Sequence, residues 1–328
     1  MSSANRYILR RIAQGFVTIL LLIAVNFLIV HASPGDVVDA LAGGSGSADP
    51  AVLQAMREHL GLDQPLYVQF MKHVGQLLQL DLGKSMFSGD RVITLLLERL
   101  PATLLLMIPA LLISFLLGTT LGVIASLKPR SIVDFLVSSL VLIGYATPLF
   151  WLGLMLIVVF TIHLGWLPSV GMLTVGVSQS PGALALDLFQ HAVLPVLTLS
   201  LFYLAAYARL TRATMIDVSD QKFVRAATAK GIPRSQVVFR HIFRNALLPV
   251  FTMAGLNISS MLGGALVVEV VFSWPGLGQL AFNAVLQRDN TLLLGLLFFS
   301  SIFVVCVNIV VDILYIKLDP RIEFGSPS

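Results

Sequence analysis

Charge is scarce in this 328-residue chain: Asp, Glu, Lys and Arg together make up 12%, about half the share of an ordinary soluble domain. Hydrophobic residues supply 57%. A soluble core cannot absorb that much apolar surface at this length, but lipid can, so composition points to a membrane protein. Cysteine is limited to Cys306, inside a long apolar run. That excludes an intramolecular disulfide and any cysteine cluster for zinc or iron–sulfur. His59, His73, His163, His191 and His241 are scattered and no His-Glu-x-x-His pattern occurs, leaving metal catalysis without support. A complete P-loop is also missing. Gly83-Lys84-Ser85 resembles its tail, but the glycine required five residues before Gly83 is Leu78. The chain is therefore expected to hold no metal, nucleotide or other cofactor itself.

What is present in abundance is long apolar runs. A helix crossing about 30 Å of hydrocarbon needs roughly 20 mainly apolar residues. Six segments qualify, at about 12–31, 102–127, 134–162, 192–210, 246–271 and 291–316. They are too continuous for barrel strands, which alternate over about ten residues, so an all-α bundle of about six transmembrane helices is expected. The first follows Arg6, Arg10 and Arg11 and is longer than a typical signal core, so it reads as a retained helix. Gly144, Thr147, Pro148 and Gly153 predict a kink in the third.

Orientation follows the basic residues. With the N-terminus placed inside, 15 of the 21 lysines and arginines fall on cytoplasmic segments, and the outer 163–191 loop has none. Both termini are then cytoplasmic. The net charge of +4 reflects this bias and is no nucleic-acid footprint. Three regions emerge: a cytoplasmic N-terminus and first helix at 1–31, an extracytoplasmic cap at 32–101, and a core at 102–328. The cap contains Gly-Gly-Ser-Gly-Ser at 43–47 and helix-like runs around 50–60 and 66–80.

The cytoplasmic segment 211–245 is polar, basic and helix-prone. It contains Arg225-Ala226-Ala227, Lys230-Gly231, Pro233-Arg234 and Arg240, and the chain then runs to Leu247-Leu248-Pro249. Gly231 suits a helix C-cap in the left-handed conformation, and Pro233 suits the first turn of the next helix. Val237, Val238, Ile242 and Phe243 can share one apolar face. Small Ala226, Ala227 and Ala229 allow another surface to approach. Two readings stand: a basic amphipathic pair on the anionic inner leaflet, or a docking element for a cytoplasmic partner.

This segment resembles the EAA loop of ABC importer permeases, whose pattern is Glu-Ala-Ala, three residues, then Gly. The chain keeps Ala226, Ala227, Gly231, Leu247 and Pro249 and departs at the leading glutamate, replaced by Arg225, and at the isoleucine of the family's Ile-x-Leu-Pro ending. The dipeptide/oligopeptide/nickel branch often lacks that glutamate. Other strings resemble the same branch in the expected order: Tyr7–Arg11, Leu60–Pro65, Asp81–Ser85, Glu98–Leu104, Val271-Phe272-Ser273-Trp274-Pro275-Gly276-Leu277-Gly278, and Leu318-Asp319-Pro320-Arg321.

The resemblance implies a type I, MetI-like permease core in a bacterial inner membrane. It implies four kinds of partner: a second, related permease, two cytoplasmic ATP-binding subunits that hold ATP and Mg, an extracytoplasmic substrate-binding protein, and the bilayer. Short peptides are the implied solute class, and the 211–245 loop would transmit ATPase closure. A secondary transporter or channel is the alternative; it calls for midplane carboxylates and broken helices in matching halves, neither evident here.

Polar residues at membrane depth are the path candidates: Asn257, Ser259 and Ser260 in the fifth segment and Thr147 in the third. Asn257 also suits a plain interhelix contact. Asp312 suits an ion pair with Lys317 near the inner interface, and Glu269 lies close enough to the outer interface to be solvated.

Overall fold

The computed structural model describes residues 3–32, 38, 50–60, 63–79, 81–176 and 180–318. The string at 43–47 and Asp319-Pro320-Arg321 lie outside the described residues, as do the side chains of Asp312 and Lys317. Among the described residues the chain is helical, with one isolated antiparallel bridge between Lys84 and Arg91.

The helices are α1 (Ser3–Ala32), α2 (Pro50–Leu60), α3 (Leu66–Leu78), α4 (Val92–Leu127), α5 (Ile132–Ala146), α6 (Leu149–His163), α7 (Pro181–Ser219), α8 (Lys222–Ala229), α9 (Arg234–Val271), α10 (Leu277–Leu286) and α11 (Asn290–Leu318). All six predicted segments fall in helices, the state that satisfies every backbone group internally in lipid. α4, α7, α9 and α11 are each long and apolar enough to cross a membrane. α5 with α6 makes a fifth crossing if the bent pair is one span, and α1 carries a shorter apolar stretch, Ala13–Ile29.

The third segment is broken rather than kinked: α5 and α6 meet at 105°. The cause is local. A residue before proline is forced out of the helical region, and Thr147 is extended (φ −83°, ψ 128°). Pro148 is extended too (φ −60°, ψ 137°) and caps α6. Gly153 lies within α6, past the break; it is buried, and a Cβ there would stand 3.2 Å from the Phe272 ring.

The chain divides into two compact units, residues 1–101 with 279–309, and residues 102–278 with 310–328. In the first, α1 meets α3 through an edge-to-face pair, Phe27 with Phe70 at 5.3 Å. Gly15 allows close approach of Val305, 2.8 Å from where a Cβ would stand. The buried carboxylate of Asp289 accepts from Ser85 Oγ (2.6 Å) and from the backbone N–H of Met86 and Leu292 (both 3.0 Å). The Asp81–Ser85 string is thus anchored by its last residue to the start of α11.

In the second unit α4, α7 and α9 enclose the core. Leu106, Leu194, Leu199, Tyr207, Val250, Met261 and Ala265 are all fully buried there. α4 crosses α7 through Gly118 and Gly122, a small-xxx-small pair. A Cβ on Gly118 would stand 2.7 Å from Tyr207 Cβ, and one on Gly122 would stand 2.6 Å from Thr211 Cβ. At the other end of α5, Ser131 caps the helix by accepting from Asp134 N–H at 3.3 Å.

Candidate coupling loop and membrane path

The 211–245 segment folds as the C-terminal turns of α7, then α8, then a tight reversal into α9. The reversal is a Schellman motif. Gly231 N–H donates to Thr228 O (3.0 Å) and Ile232 N–H to Ala227 O (3.4 Å). Gly231 has φ +75° and no atom within 4 Å of where a Cβ would stand. Glycine is required there by conformation, not by space. Pro233 is extended (φ −56°, ψ 139°) and sits just before α9, one position outside its first turn.

One face of this hairpin is anchored and the other is bare. Val224, Ala227, Val237 and Ile242 are buried against Met215, Val218 and Ala246, with Ile232, Val238 and Phe243 packed at the edge. Ala227 therefore faces its own bundle, where a small side chain lets α8 sit close. Arg225, Ala226, Ala229, Lys230, Gly231, Pro233, Arg234 and Arg240 are exposed. Arg234 Nη2 also donates to Leu127 O at the C-terminus of α4 (3.3 Å), a favourable place for a cation on the helix dipole. α9 starts with wide π-type turns at Val237–Phe243, and Pro249 lies inside the helix. Behind the hairpin a cavity of about 450 Å³ is lined by Leu127, Pro129, Met215, Thr228, Ile232 and Val238.

The membrane-depth candidates separate into different settings. Thr147 stands at the α5–α6 break, half-buried, its hydroxyl donating to Ile143 O (2.7 Å). Asn257 is half-buried beside Tyr207. Its Nδ2 and the Tyr207 hydroxyl are buried, and among the described residues neither is in hydrogen-bond geometry with another group. Ser260 is exposed, lies by Tyr203 and donates to Asn257 O (3.0 Å), while Ser259 is half-buried. The α9 polar stripe thus borders two α7 tyrosines.

Glu269 departs from the expectation that it is solvated: it is fully buried. Its carboxylate accepts from Thr103 Oγ1 (2.7 Å) and Gly278 N–H (2.6 Å), and Thr103 Oγ1 in turn accepts from Leu277 N–H (2.8 Å). Trp274 Nε1 donates to Ala102 O (2.9 Å). A Cβ on Gly276 would collide with the carboxylate, and one on Gly278 would stand 2.9 Å from it. The Phe272–Gly278 string is a strap folded around one buried acid. Burying a carboxylate is tolerable only with such donors.

A second polar tie lies at the start of α5. Asp134 accepts from Arg212 Nε (2.5 Å) and Nη2 (2.7 Å), Arg130 N–H (2.8 Å) and Ser138 Oγ (3.2 Å). Sequence reading passed over this pair because its members stand 78 residues apart. The Gly118–Gly122 crossing did have a sequence signal, two glycines with three residues between them.

Comparison with known proteins turns this architecture into a class. Residues 118–324 match the family described as binding-protein-dependent transport system inner membrane component, and residues 4–107 match the N-terminal domain of such components. The chain belongs to that family. It is 38% identical over 323 residues to the oligopeptide transport system permease protein AppB of Bacillus subtilis, covering 97% of this chain and 99% of the relative. It is equally identical, over 318 residues, to the glutathione transport system permease protein GsiC of an Escherichia coli strain, with 97% and 99% covered. In solved structures the fold is similar to that of an inward-facing MetNI methionine ABC transporter. The TM-score is 0.56 at 18% identity, over 69% of this chain and 96% of that one. The chain is thus the permease subunit of an ABC importer, an all-α membrane protein and a non-catalytic component. It works with an ATPase and a substrate-binding protein.

Proposed function

We propose that this chain forms one half of the translocation path of an ATP-driven importer of short peptides, and that the α8–α9 hairpin is the lever through which ATP hydrolysis moves it. The observation that carries the reading is the hairpin's two-faced build. One face is anchored by Val224, Ala227, Val237 and Ile242. The other presents Arg225, Ala226, Ala229 and Lys230 bare, around a reversal held by Gly231. A rigidly anchored yet uncovered helix suits docking into a cleft on another protein. The basic charge of the loop supports a cytoplasmic placement, and with it cytoplasmic termini in a bacterial inner membrane.

Two ATPase subunits, holding the ATP and Mg, would press on two such hairpins, one from this chain and one from a second, related permease. Five or six helices enclose little space alone, which supports a paired permease. Thr147, Asn257, Ser259 and Ser260 border the path in this reading. The peptide class rests on the relatives, which include an oligopeptide permease and a glutathione permease. Closure of the ATPases then shifts α9 directly, because the hairpin runs into α9 without a loop.

The test is a pair of substitutions at Gly231 in the reconstituted complex. Gly231→Asn tolerates positive φ and is expected to keep most peptide uptake. Gly231→Val does not tolerate it and is expected to insert and assemble normally but to lose coupled uptake by at least about tenfold. Normal uptake by the valine variant would remove the hairpin from the coupling mechanism.

A further inference from the structure

Arg209 stands where a charge is expensive. α5 starts at Ile132, at the level where Asp134 pairs with Arg212. Tyr145 lies eleven residues further along α5 than Asp134, about 16 Å by helical rise. Arg209 is one turn from Arg212 on α7, on the side away from the cytoplasmic loop. Helical side chains lean toward their own N-terminus, which carries this guanidinium further into the membrane. Its central carbon stands 4.2 Å from the centroid of the Tyr145 ring. The guanidinium therefore sits on the membrane side of the Asp134–Arg212 pair, roughly a dozen ångström from that level along α5.

Asp134 is committed to Arg212, Ser138 and the Arg130 N–H. Among the described residues no carboxylate forms an ion pair with Arg209. Arg209 is exposed, and so is Tyr145. A cation at this depth turned to hydrocarbon is strongly disfavoured; such residues face the bundle interior or a water-filled cavity. Exposure takes Arg209 out of this chain's own interior, which leaves the face it shares with the second permease and the path between them. A groove of about 250 Å³ runs there between α5 and α7, reaching Ala125 of α4; its wall is mostly apolar, with Val137, Val141 and Leu142, and its polar groups are Ser138, Arg209 and Arg212 beside Tyr145.

We propose that Arg209, seated on Tyr145, lines the aqueous path and receives a carboxylate of the passing solute. The guanidinium carbon stands over the ring, and its N–H groups can match a carboxylate bidentately. Tyr145 also holds the side chain in one place, so little rotamer freedom remains to be lost on contact. In a water-filled path a single such pair is weak. Weakness suits a transit site, where a solute must enter and also leave. The proposal rests on the reading that this chain forms half of a peptide path.

The test uses the complete reconstituted transporter with its binding protein. In a Cys306→Ser background, Arg209→Cys is expected to react with a charged, membrane-impermeant thiosulfonate, and a short peptide with a free C-terminus is expected to slow that reaction. Reaction with a lipid-soluble maleimide alone would place the position against lipid and overturn the proposal. Uptake of a peptide is then compared with uptake of its C-terminal amide. Arg209→Gln is expected to lower uptake of the acid about tenfold while changing that of the amide less than twofold, and Arg209→Lys to restore part of the difference. Equal loss for acid and amide would make Arg209 a structural residue and overturn the carboxylate contact. Absence of peptide uptake by the unaltered complex would instead overturn the peptide-importer reading. That failure is separable, because thiosulfonate labelling reports the path position by itself.

Discussion

Two kinds of glycine share this chain, and they answer different physical demands. Gly231 is set in open space and is needed for its backbone angle. Gly118 and Gly122 are ordinary in conformation and are needed because α7 leaves no room for a Cβ. Gly276 and Gly278 belong to the second kind: the neighbour is the Glu269 carboxylate at Gly276, and Leu266 before that carboxylate at Gly278. Thr103 is the pivot of that strap: its hydroxyl donates to Glu269 and accepts from Leu277 N–H. Thr103→Val keeps the shape and removes both bonds, leaving a buried N–H and a carboxylate short of a donor. A loss of about 2 kcal/mol is expected, read as a lower unfolding temperature in detergent. Thr103→Ser, which keeps the hydroxyl, is expected to retain most of the stability. Equal stability of the valine variant would mean the strap is not held by this hydroxyl.

At the level of elements, α5 and α7 are joined by a bidentate pair at one end and by Arg209 stacked on Tyr145 further in. Asp134 is buried while a third of the Arg212 side chain is exposed, so solvent screens part of the interaction. A double-mutant cycle with Asp134→Ala and Arg212→Ala in detergent is expected to give a coupling energy of about 1–2 kcal/mol, within the range for contacting charged residues. Simple additivity would show the tie to be energetically idle. Element ends were the most legible part of the chain. Gly231 acts within a turn of its own position, and Pro233 marked the start of α9 to within one residue, so both effects follow from adjacent residues. The Thr147–Pro148 break was legible as a disturbance, but the 105° turn was not. A proline states that a helix stops; the direction in which the next helix leaves depends on what it packs against, here Phe272 and Val271 around Gly153.

At the level of the whole molecule, topology is the claim with the widest consequences. If the hairpin lies in the cytoplasm, Ser235→Cys in a Cys306→Ser background, exposed between Arg234 and Gln236, is expected to react with an impermeant thiol reagent only from the cytoplasmic side. Labelling of intact cells from outside would invert the arrangement and separate the hairpin from any ATPase. The same inversion would carry Arg209 to the other end of the path, so this measurement bears on both proposals.

Composition and run length alone determined that this chain dissolves in lipid as a helical bundle, because a charge-poor chain of long apolar runs has no other low-energy state. Local motifs determined where the cytoplasmic hairpin turns. Only tertiary structure decided which way each polar side chain faces. Glu269 became a buried anchor, Ala227 an inward contact and Arg209 an exposed cation at depth. Those outcomes depend on Thr103, Met215 and Tyr145, residues distant in the chain. Helical periodicity constrains where a residue sits on its own helix, but not which neighbour arrives there.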